Sequence, residues 1–232
     1  MPMTARRGRA TSGPIAVATA SQRRRRDTGP LTDKGQARKA ELLAAARLVF
    51  ERQGFLDTRV ADIVAEANVA QGSFYTYFDS KDTVFRAVAQ GVIDTMLTAL
   101  HTDTRAEDPF VRVRDAMQRF VDAYRPTAGI IALIEQVGTF TPEMRDMRLA
   151  LRAAFVDRSA RGIRRLQQDG IADPDLDVPV IAEVLGAMVD HTCYVWLNLG
   201  QKFDEDALLA ALSTVWARAI GVDAWIPARS AR

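Results

Sequence analysis

Apolar residues recur at helical spacing along most of the chain from Asp33 onward. The first clear stripe lies on a helix that Gly54 can end, and it consists of Leu42, Ala46, Val49 and Phe50. No persuasive period-2 alternation of apolar and polar residues appears, and no internal repeat stands out. The pattern therefore predicts an all-α fold of about nine helices separated by proline, glycine and capping residues.

These separating residues give approximate helix positions. Ser80 is a plausible N-cap of the fourth helix, and proline at the first turn opens helices at Pro109 and at Pro142. The predicted helices after the first lie at about 59–67, 71–77, 81–100, 109–124, 126–138, 142–168, 178–199 and 204–220.

Charge is distributed unevenly along the chain. The net charge is +2, but residues 1–40 contain ten basic residues and two acidic ones, so the remainder is acidic. Residues 1–31 show no sustained apolar period and are predicted to form a disordered basic arm. Basic side chains displace counterions from phosphates, so the arm indicates a polyanionic partner; a merely solvated tail is the alternative.

The composition gives no support to an enzyme. The chain has two histidines and one cysteine, and it lacks a glycine-rich phosphate loop and any nucleophile–base spacing. Neither hydrolytic chemistry nor a tight metal site is indicated, and no cofactor is expected.

Compartment and membrane signals point to the cytoplasm. Cys193 has no second cysteine to pair with, which fits a reducing compartment. The apolar segment 180–199 is long enough to span a bilayer, but Glu183, Asp190 and His191 lie near its middle. We therefore expect a buried helix of a soluble protein there, and no membrane partner.

The segment from Phe50 to Lys81 is the most informative and reads FERQGFLDTRVADIVAEANVAQGSFYTYFDSK. Asn68 occupies the turn between two short helices, where a residue that tolerates a left-handed backbone is needed. The residues predicted to pack the short helices together are Val60, Ile63, Val64, Ala67, Val69, Phe74 and Phe78. This is the arrangement of a helix-turn-helix, whose second helix enters the major groove of DNA.

This segment resembles the DNA-binding signature of the TetR family of transcriptional regulators, without a gap. The matching residues are Phe50, Gly54, Phe55, Thr58, Val60, Asp62, Ile63, Ala67, Val69, Gly72, Tyr75, Phe78, Ser80 and Lys81. Three positions depart from the family pattern: Arg59 replaces a usual threonine, Ala61 a common arginine, and Ala70 the serine that normally caps the recognition helix. The lost cap costs about 1 kcal/mol.

Candidate DNA-binding residues lie around the second short helix. Gln71 and Ser73 are in its first turn, where base edges are read, and a side chain at Gly72 would meet the duplex. By resemblance, Tyr75, Thr76 and Tyr77 contact bases or phosphates and Lys81 contacts a phosphate, while Thr58 and Arg59 are assigned to anchoring. The alternative for the two tyrosines is ordinary packing.

The resemblance also implies an effector site among the later helices. Large flexible apolar side chains favour an apolar or amphipathic small molecule, although each could simply fill the core. The candidate effector-binding residues, including two polar ones, are Met96, Phe120, Tyr124, Met144, Met147, Phe155, Met188, His191 and Trp196.

The last two predicted helices are apolar on two sides, which one neighbour in the chain cannot cover. They are therefore expected to form a homodimer. The expected domains are the arm at 1–31, the helix-turn-helix DNA-binding domain at 32–79, and the effector-binding and dimerisation domain at 80–225.

These expectations combine into a repressor that an effector releases from a palindromic operator on double-stranded DNA. The alternatives are a ligand-insensitive regulator, a corepressor-dependent one, and a nonspecific nucleic-acid binder acting through the arm.

Overall fold

The computed structural model describes residues 32–101, 108–222 and 224. The predicted basic arm at 1–31 lies outside the described residues. Within them the chain is helical and contains no strand, which confirms the predicted fold class. The helices are α1 (Asp33–Asp57), α2 (Val60–Glu66), α3 (Gln71–Tyr77), α4 (Lys81–Ala99), α5 (Pro109–Tyr124), α6 (Ala128–Val137), α7 (Pro142–Gln168), α8 (Val178–Cys193) and α9 (Glu205–Ala219).

Side-chain caps explain why most helices begin where they do. An oxygen of the N-cap side chain accepts a backbone N–H of the first turn at Thr32, Ser80, Asp108, Thr141, Asp177 and Asp204. Proline follows the cap at Pro109 and Pro142, where its missing N–H costs nothing. The predicted N-cap at Ser80 and the two proline starts are confirmed.

Two segments differ from a simple helix. Gly54 has φ +79°, so regular helical geometry breaks there and α1 ends one turn later. The helix predicted over 178–199 gives way to a π-helical turn at Tyr194–Asn198. Side chains hold this wider turn in place, because the Tyr124 hydroxyl donates to Asn198 Oδ1 at 3.3 Å and Asn198 Nδ2 donates to the Ala128 carbonyl at 2.9 Å.

Helix α1 joins the N-terminal helices to the rest of the chain. The ring of Phe85 on α4 packs against Phe50 and Phe55 of α1, with centroids 5.1 and 4.9 Å away. The Arg47 guanidinium also donates to the carbonyl of Pro126, in the 3₁₀ turn before α6, at 2.5 Å. The N-terminal helices are thus packed directly on α4 and α6.

Among the described residues, α8 together with its π-helical turn (Val178–Asn198) is long enough and apolar enough to cross a membrane, judged by length and composition alone. Arg152 of α7 nevertheless pairs with two of its carboxylates, Glu183 at 2.7 Å and Asp190 at 3.7 Å. We interpret it as a helix of the bundle. The prediction that it is buried holds for one face, since Val180 and Val184 are exposed.

Candidate DNA interface and ligand cavity

Helices α2 and α3 are joined by a tight turn. Asn68 has φ +51° and is the non-glycine residue with positive φ in the described part of the chain, which confirms the predicted left-handed turn position. The backbone N–H groups of Asn68 and Val69 donate to Ala65 and Val64 at 3.1 and 3.0 Å, closing α2. This geometry sets the direction in which α3 leaves the turn.

The apolar side of α3 holds it against α1 and α2. Phe74 is fully buried and lies 5.7 Å from the ring of Phe78, which is also buried. Ile63 and Val64 of α2 are buried in the same cluster, with Val69 packed against it. Four of the predicted packing residues are therefore confirmed as core, and Val60, Ala67 and Val69 are half-buried against them.

The opposite side of α3 is open. Gln71, Gly72 and Thr76 are exposed, Tyr75 is 40% exposed, and Ser73 and Tyr77 are half-buried. A Cβ built at Gly72 meets no protein atom within 4 Å, so nothing within this chain requires glycine there. A requirement for glycine would have to come from something that approaches α3 from outside.

The N-terminus of α3 lacks a side-chain cap. Ala70 is the N-cap residue, and its methyl group accepts no hydrogen bond. Only its carbonyl takes part, accepting the Ser73 N–H at 2.9 Å. The first N–H groups of α3 therefore have no partner from the N-cap side chain. An anion at this end of the helix can accept hydrogen bonds from them.

The three predicted anchoring residues occupy different environments. Arg59 is exposed just before α2, and its backbone N–H donates to Asp62 Oδ2 at 2.9 Å. Thr58 is only 2% exposed, and its hydroxyl donates to the Gly54 carbonyl at 2.6 Å. The Thr58 hydroxyl closes the end of α1, where a buried hydroxyl needs an internal acceptor, and the assignment of Thr58 to phosphate anchoring stays a prediction.

Lys81, at the start of α4, also has a partner within the protein. Its ammonium donates to the carbonyls of Phe55 and Leu56 at 2.6 and 3.0 Å, and it lies 4.6 Å from the centre of the Phe55 ring. It caps the C-terminal turn of α1 and ties that turn to α4. Sequence reasoning missed this role, because the contact spans 26 positions.

The helix-turn-helix segment matches a family model described as bacterial regulatory proteins of the tetR family, over residues 42–88. The uncharacterised HTH-type transcriptional regulator YdgC of Bacillus subtilis is 29% identical over 192 residues, which cover 78% of this chain and 91% of that protein. The HTH-type transcriptional regulator EthR of Mycolicibacterium smegmatis is 25% identical, covering 88% and 96%. The DNA-binding segment of this chain thus belongs to the TetR family of transcriptional regulators, and its similarity to HTH-type regulators extends over most of the chain.

A solved TetR-type fold agrees with this membership. Salmonella enterica GusR has a TM-score of 0.70 with 16% identity, over 83% of this chain and 99% of that one, so it supports the fold alone. The regulator binds DNA and controls transcription, and the expectation that it is not an enzyme is confirmed. TetR-family regulators bind operator DNA, dimerise and usually bind a small-molecule effector.

The regulator contains a cavity of about 720 Å³ between α4, α5, α6, α7, α8 and α9. This volume lies in the range of roughly 300–1,000 Å³ that is typical of small-molecule sites. Four of the predicted effector-binding residues line it: Met96, Phe120, Tyr124 and Phe155. Tyr124 is buried, and that burial together with the nearby Asp190 carboxylate raises the pKa of its hydroxyl, which stays protonated.

The other five predicted effector-binding residues do not line the cavity, and their role in effector binding stays a prediction. Met144 is buried in the core, and Met147 and Met188 are half-buried beside it. His191 is exposed, with its ring 6.0 Å from that of Tyr194, and the Arg125 guanidinium lies 5.0 Å from the Trp196 ring. Their helical stripe pattern did not reveal which side of each helix faces the cavity.

Most of the charged cavity residues were missed. Arg148 forms a bidentate pair with Glu135, and Arg152 lies 3.7 Å from Asp190. Burial raises the pKa of Asp190, and the neighbouring Glu135 raises it further. The available signal was the repeated arginines of α7, which read equally well in the sequence as a solvated surface.

Proposed function

We propose that this regulator is a repressor that binds a near-palindromic operator as a homodimer and is released by a small apolar or amphipathic effector. The observation that supports it most is the open face of α3 on a domain that α4 connects to a large internal cavity. The proposed site for DNA and the proposed site for a small molecule are thus connected by one helix, α4.

Within the DNA interface, Gln71 and Ser73 are proposed to read base edges, with Tyr75, Thr76 and Tyr77 positioned beside them. Glutamine can make a bidentate contact with adenine. The exposed Arg59, together with Lys81 and the unfilled N-terminus of α3, is proposed to hold phosphates, which orient the protein on DNA.

Dimerisation is proposed to occur through α8 and α9. Their outward faces carry large apolar side chains that are about half exposed in the single chain: Val180 58%, Val184 56%, Leu199 64% and Val215 49%. A two-fold axis there would present two copies of α3 to successive major grooves, about 34 Å apart.

Helix α4 supplies the proposed connection between the two sites. At its N-terminus Lys81 holds the end of α1, and at its C-terminus the Leu100 carbonyl accepts a hydrogen bond from the Arg158 guanidinium. Met96 and Leu100 of α4 also line the cavity. An effector that binds better when α4 is displaced would shift the population toward a spacing that cannot dock both recognition helices.

The domain division fits this scheme. We propose a DNA-binding domain at 32–79 and an effector and dimerisation domain at 80–225 in a cytoplasmic regulator. The arm at 1–31 is proposed to add nonspecific phosphate contacts, so its deletion would flatten the salt dependence of DNA binding while preserving sequence preference.

The deciding experiment selects binding sites from random duplex DNA and then measures affinity by fluorescence anisotropy at near-physiological salt. A two-fold-symmetric site is expected to bind at least roughly a hundredfold more tightly than scrambled DNA. The double variant Gln71→Ala/Tyr75→Ala should lose that preference, whereas Gln136→Ala, an exposed glutamine on α6, should keep it.

The outcomes separate the alternatives. Enrichment of no site contradicts a ligand-free repressor and favours a corepressor-dependent regulator or indiscriminate binding through the arm. A selected site that no small molecule releases favours the ligand-insensitive alternative.

A further inference from the structure

The cavity lining carries an excess of positive charge. The lining includes six arginines and two carboxylates. Those carboxylates, Glu135 and Asp190, are both within ion-pair distance of an arginine, Arg148 and Arg152 respectively. The remaining lining arginines form what we call the arginine cluster: Arg112 from α5 and Arg158, Arg161 and Arg165 from α7.

The cluster has no acidic counterpart in the described part of the chain. None of its four guanidinium groups is within ion-pair distance of a carboxylate there. The Nε of Arg112 is buried and has no hydrogen-bond partner. A buried donor without an acceptor is costly, and a bound anion would supply one.

Like charges crowd around Arg158. Its pKa is lowered first by burial and then by the positive charges of Arg119, Arg161 and Arg165. Folding has therefore gathered cations at the cavity at an electrostatic cost, which an anionic ligand would offset.

Much of the remaining cavity wall is apolar. Met96, Met117, Phe120, Phe155, Ile163 and Trp216 contribute flexible or aromatic surface to its wall. Methionine and aromatic side chains adapt to chains and rings of varied shape. A ligand that fills this space and also satisfies the cluster needs an apolar body and a negatively charged head.

We propose that the cavity binds an anionic amphiphile, with a carboxylate or phosphate head group on the arginine cluster and an apolar tail along Phe120 and Phe155. This rests on the proposed function, because it names the chemical class of its effector. Guanidinium groups suit such heads because their donors match the geometry of carboxylate and phosphate oxygens.

The same cluster reaches the DNA-binding half. The Arg158 guanidinium donates to the carbonyl of Leu100, the C-cap residue of α4. A head group that accepts from Arg158 competes with that carbonyl. Binding of the anion therefore loosens the C-terminal end of the helix whose first residue, Lys81, holds the DNA-binding domain.

The test measures binding to the full-length dimer by isothermal titration calorimetry, below the micellar concentration of each probe. Dodecanoate and dodecyl phosphate supply the two head groups, and 1-dodecanol supplies the same tail without charge. At least one of the anions is expected to bind about tenfold or more tightly than the alcohol. Equal affinity of all three probes would overturn the proposal.

Matched variants locate the head group. Arg161→Ser/Arg165→Ser removes two exposed members of the cluster with little risk to folding, while Arg164→Ser removes an exposed arginine of the same helix that does not line the cavity. The double variant should lose about tenfold or more of the anion affinity and none of the alcohol affinity, and Arg164→Ser should lose neither. An anion preference that survives the double variant would place the head elsewhere and refute the assignment.

Operator binding provides the readout that separates this proposal from the proposed function. The double variant should bind the selected operator as tightly as the wild type. Anions that bind through the cluster but leave the operator complex intact would support the site and contradict effector release. Release by a neutral compound, with no binding of either anion, would support the repressor and overturn the anion site.

Discussion

The DNA-binding half and the cavity half of this regulator assemble their sites in different ways. In the DNA-binding half the candidate interface lies on the seven residues of α3 and the residues beside it, and the supporting core comes from the helices that precede α3 in sequence. The cavity wall is formed by residues of α4 through α9, and along the sequence the lining residues run from Ile93 to Ile220. A site formed by residues close together in the chain can be recognised in the sequence, whereas a cavity formed by distant helices depends on how each helix is rotated about its own axis.

The two halves also differ in the surroundings of their large side chains. On α3 the core residue Phe74 directly precedes the exposed Tyr75, so packing and recognition are separated by one position. In the cavity half, Phe155 is half-buried against open space. Substitutions should therefore affect stability and binding separately in the first half and affect mainly ligand affinity in the second.

The largest expected effect comes from emptying the core of the DNA-binding half. Phe74→Ala should lower the free energy of unfolding by about 3–5 kcal/mol, because it leaves a cavity in a filled core. Tyr75→Ala should cost about 1 kcal/mol or less, and Phe155→Ala should cost less than Phe74→Ala because its ring faces an existing cavity. Urea denaturation measures all three, and equal losses at Phe74 and Phe155 would contradict the expected difference between the two halves.

A smaller effect tests the open face of α3. Gly72→Ala should weaken operator binding by about tenfold or more, because the added methyl group points to where the duplex approaches. The free energy of unfolding should stay unchanged or rise by at most about 1 kcal/mol.

Gly162→Ala on α7 is the matched control, since a Cβ there also meets no atom within 4 Å. It should leave operator affinity unchanged in fluorescence anisotropy. Tight DNA binding by Gly72→Ala would contradict the proposed approach of α3 to DNA.

Restoring the missing cap should stabilise the DNA-binding half. Ala70→Ser places a hydroxyl where it can accept an N–H of the first turn of α3 and should raise the free energy of unfolding by about 1 kcal/mol. Ala65→Ser, at an exposed position within α2, should instead lower it by a few tenths to about 0.5 kcal/mol. Thermal denaturation of the two variants side by side would show no difference if Ala70 were not the N-cap.

The smallest effect concerns the thiol of the cavity half. Burial raises the pKa of Cys193 to about 12, so at pH 8 almost no thiolate forms in the folded protein. Iodoacetamide should label native protein very slowly at pH 8 and urea-unfolded protein quickly, as followed by mass spectrometry. Rapid native labelling that rises with pH between 8 and 9 would show an accessible thiol with an ordinary pKa.

Some residues of the candidate sites could be predicted because neighbouring positions decide their role. Asn68 follows from the need for a left-handed turn residue, Ser80 from its place before a helix, and Phe74 from its spacing to Phe78. Thr58 and Lys81 were assigned to phosphate because the pattern shows their type and position but not the carbonyl groups of α1 that they meet.

The helix positions and the DNA-binding motif follow from the sequence, because hydrogen bonds and apolar periods within a helix involve residues a few positions apart. Which side chains face the cavity depends on how the helices pack. His191 lies on the surface, while Arg112 and Arg158, 46 positions apart, both line the cavity. The rotation of each packed helix is set by the contacts of all its neighbours at once, and no local pattern contains that information.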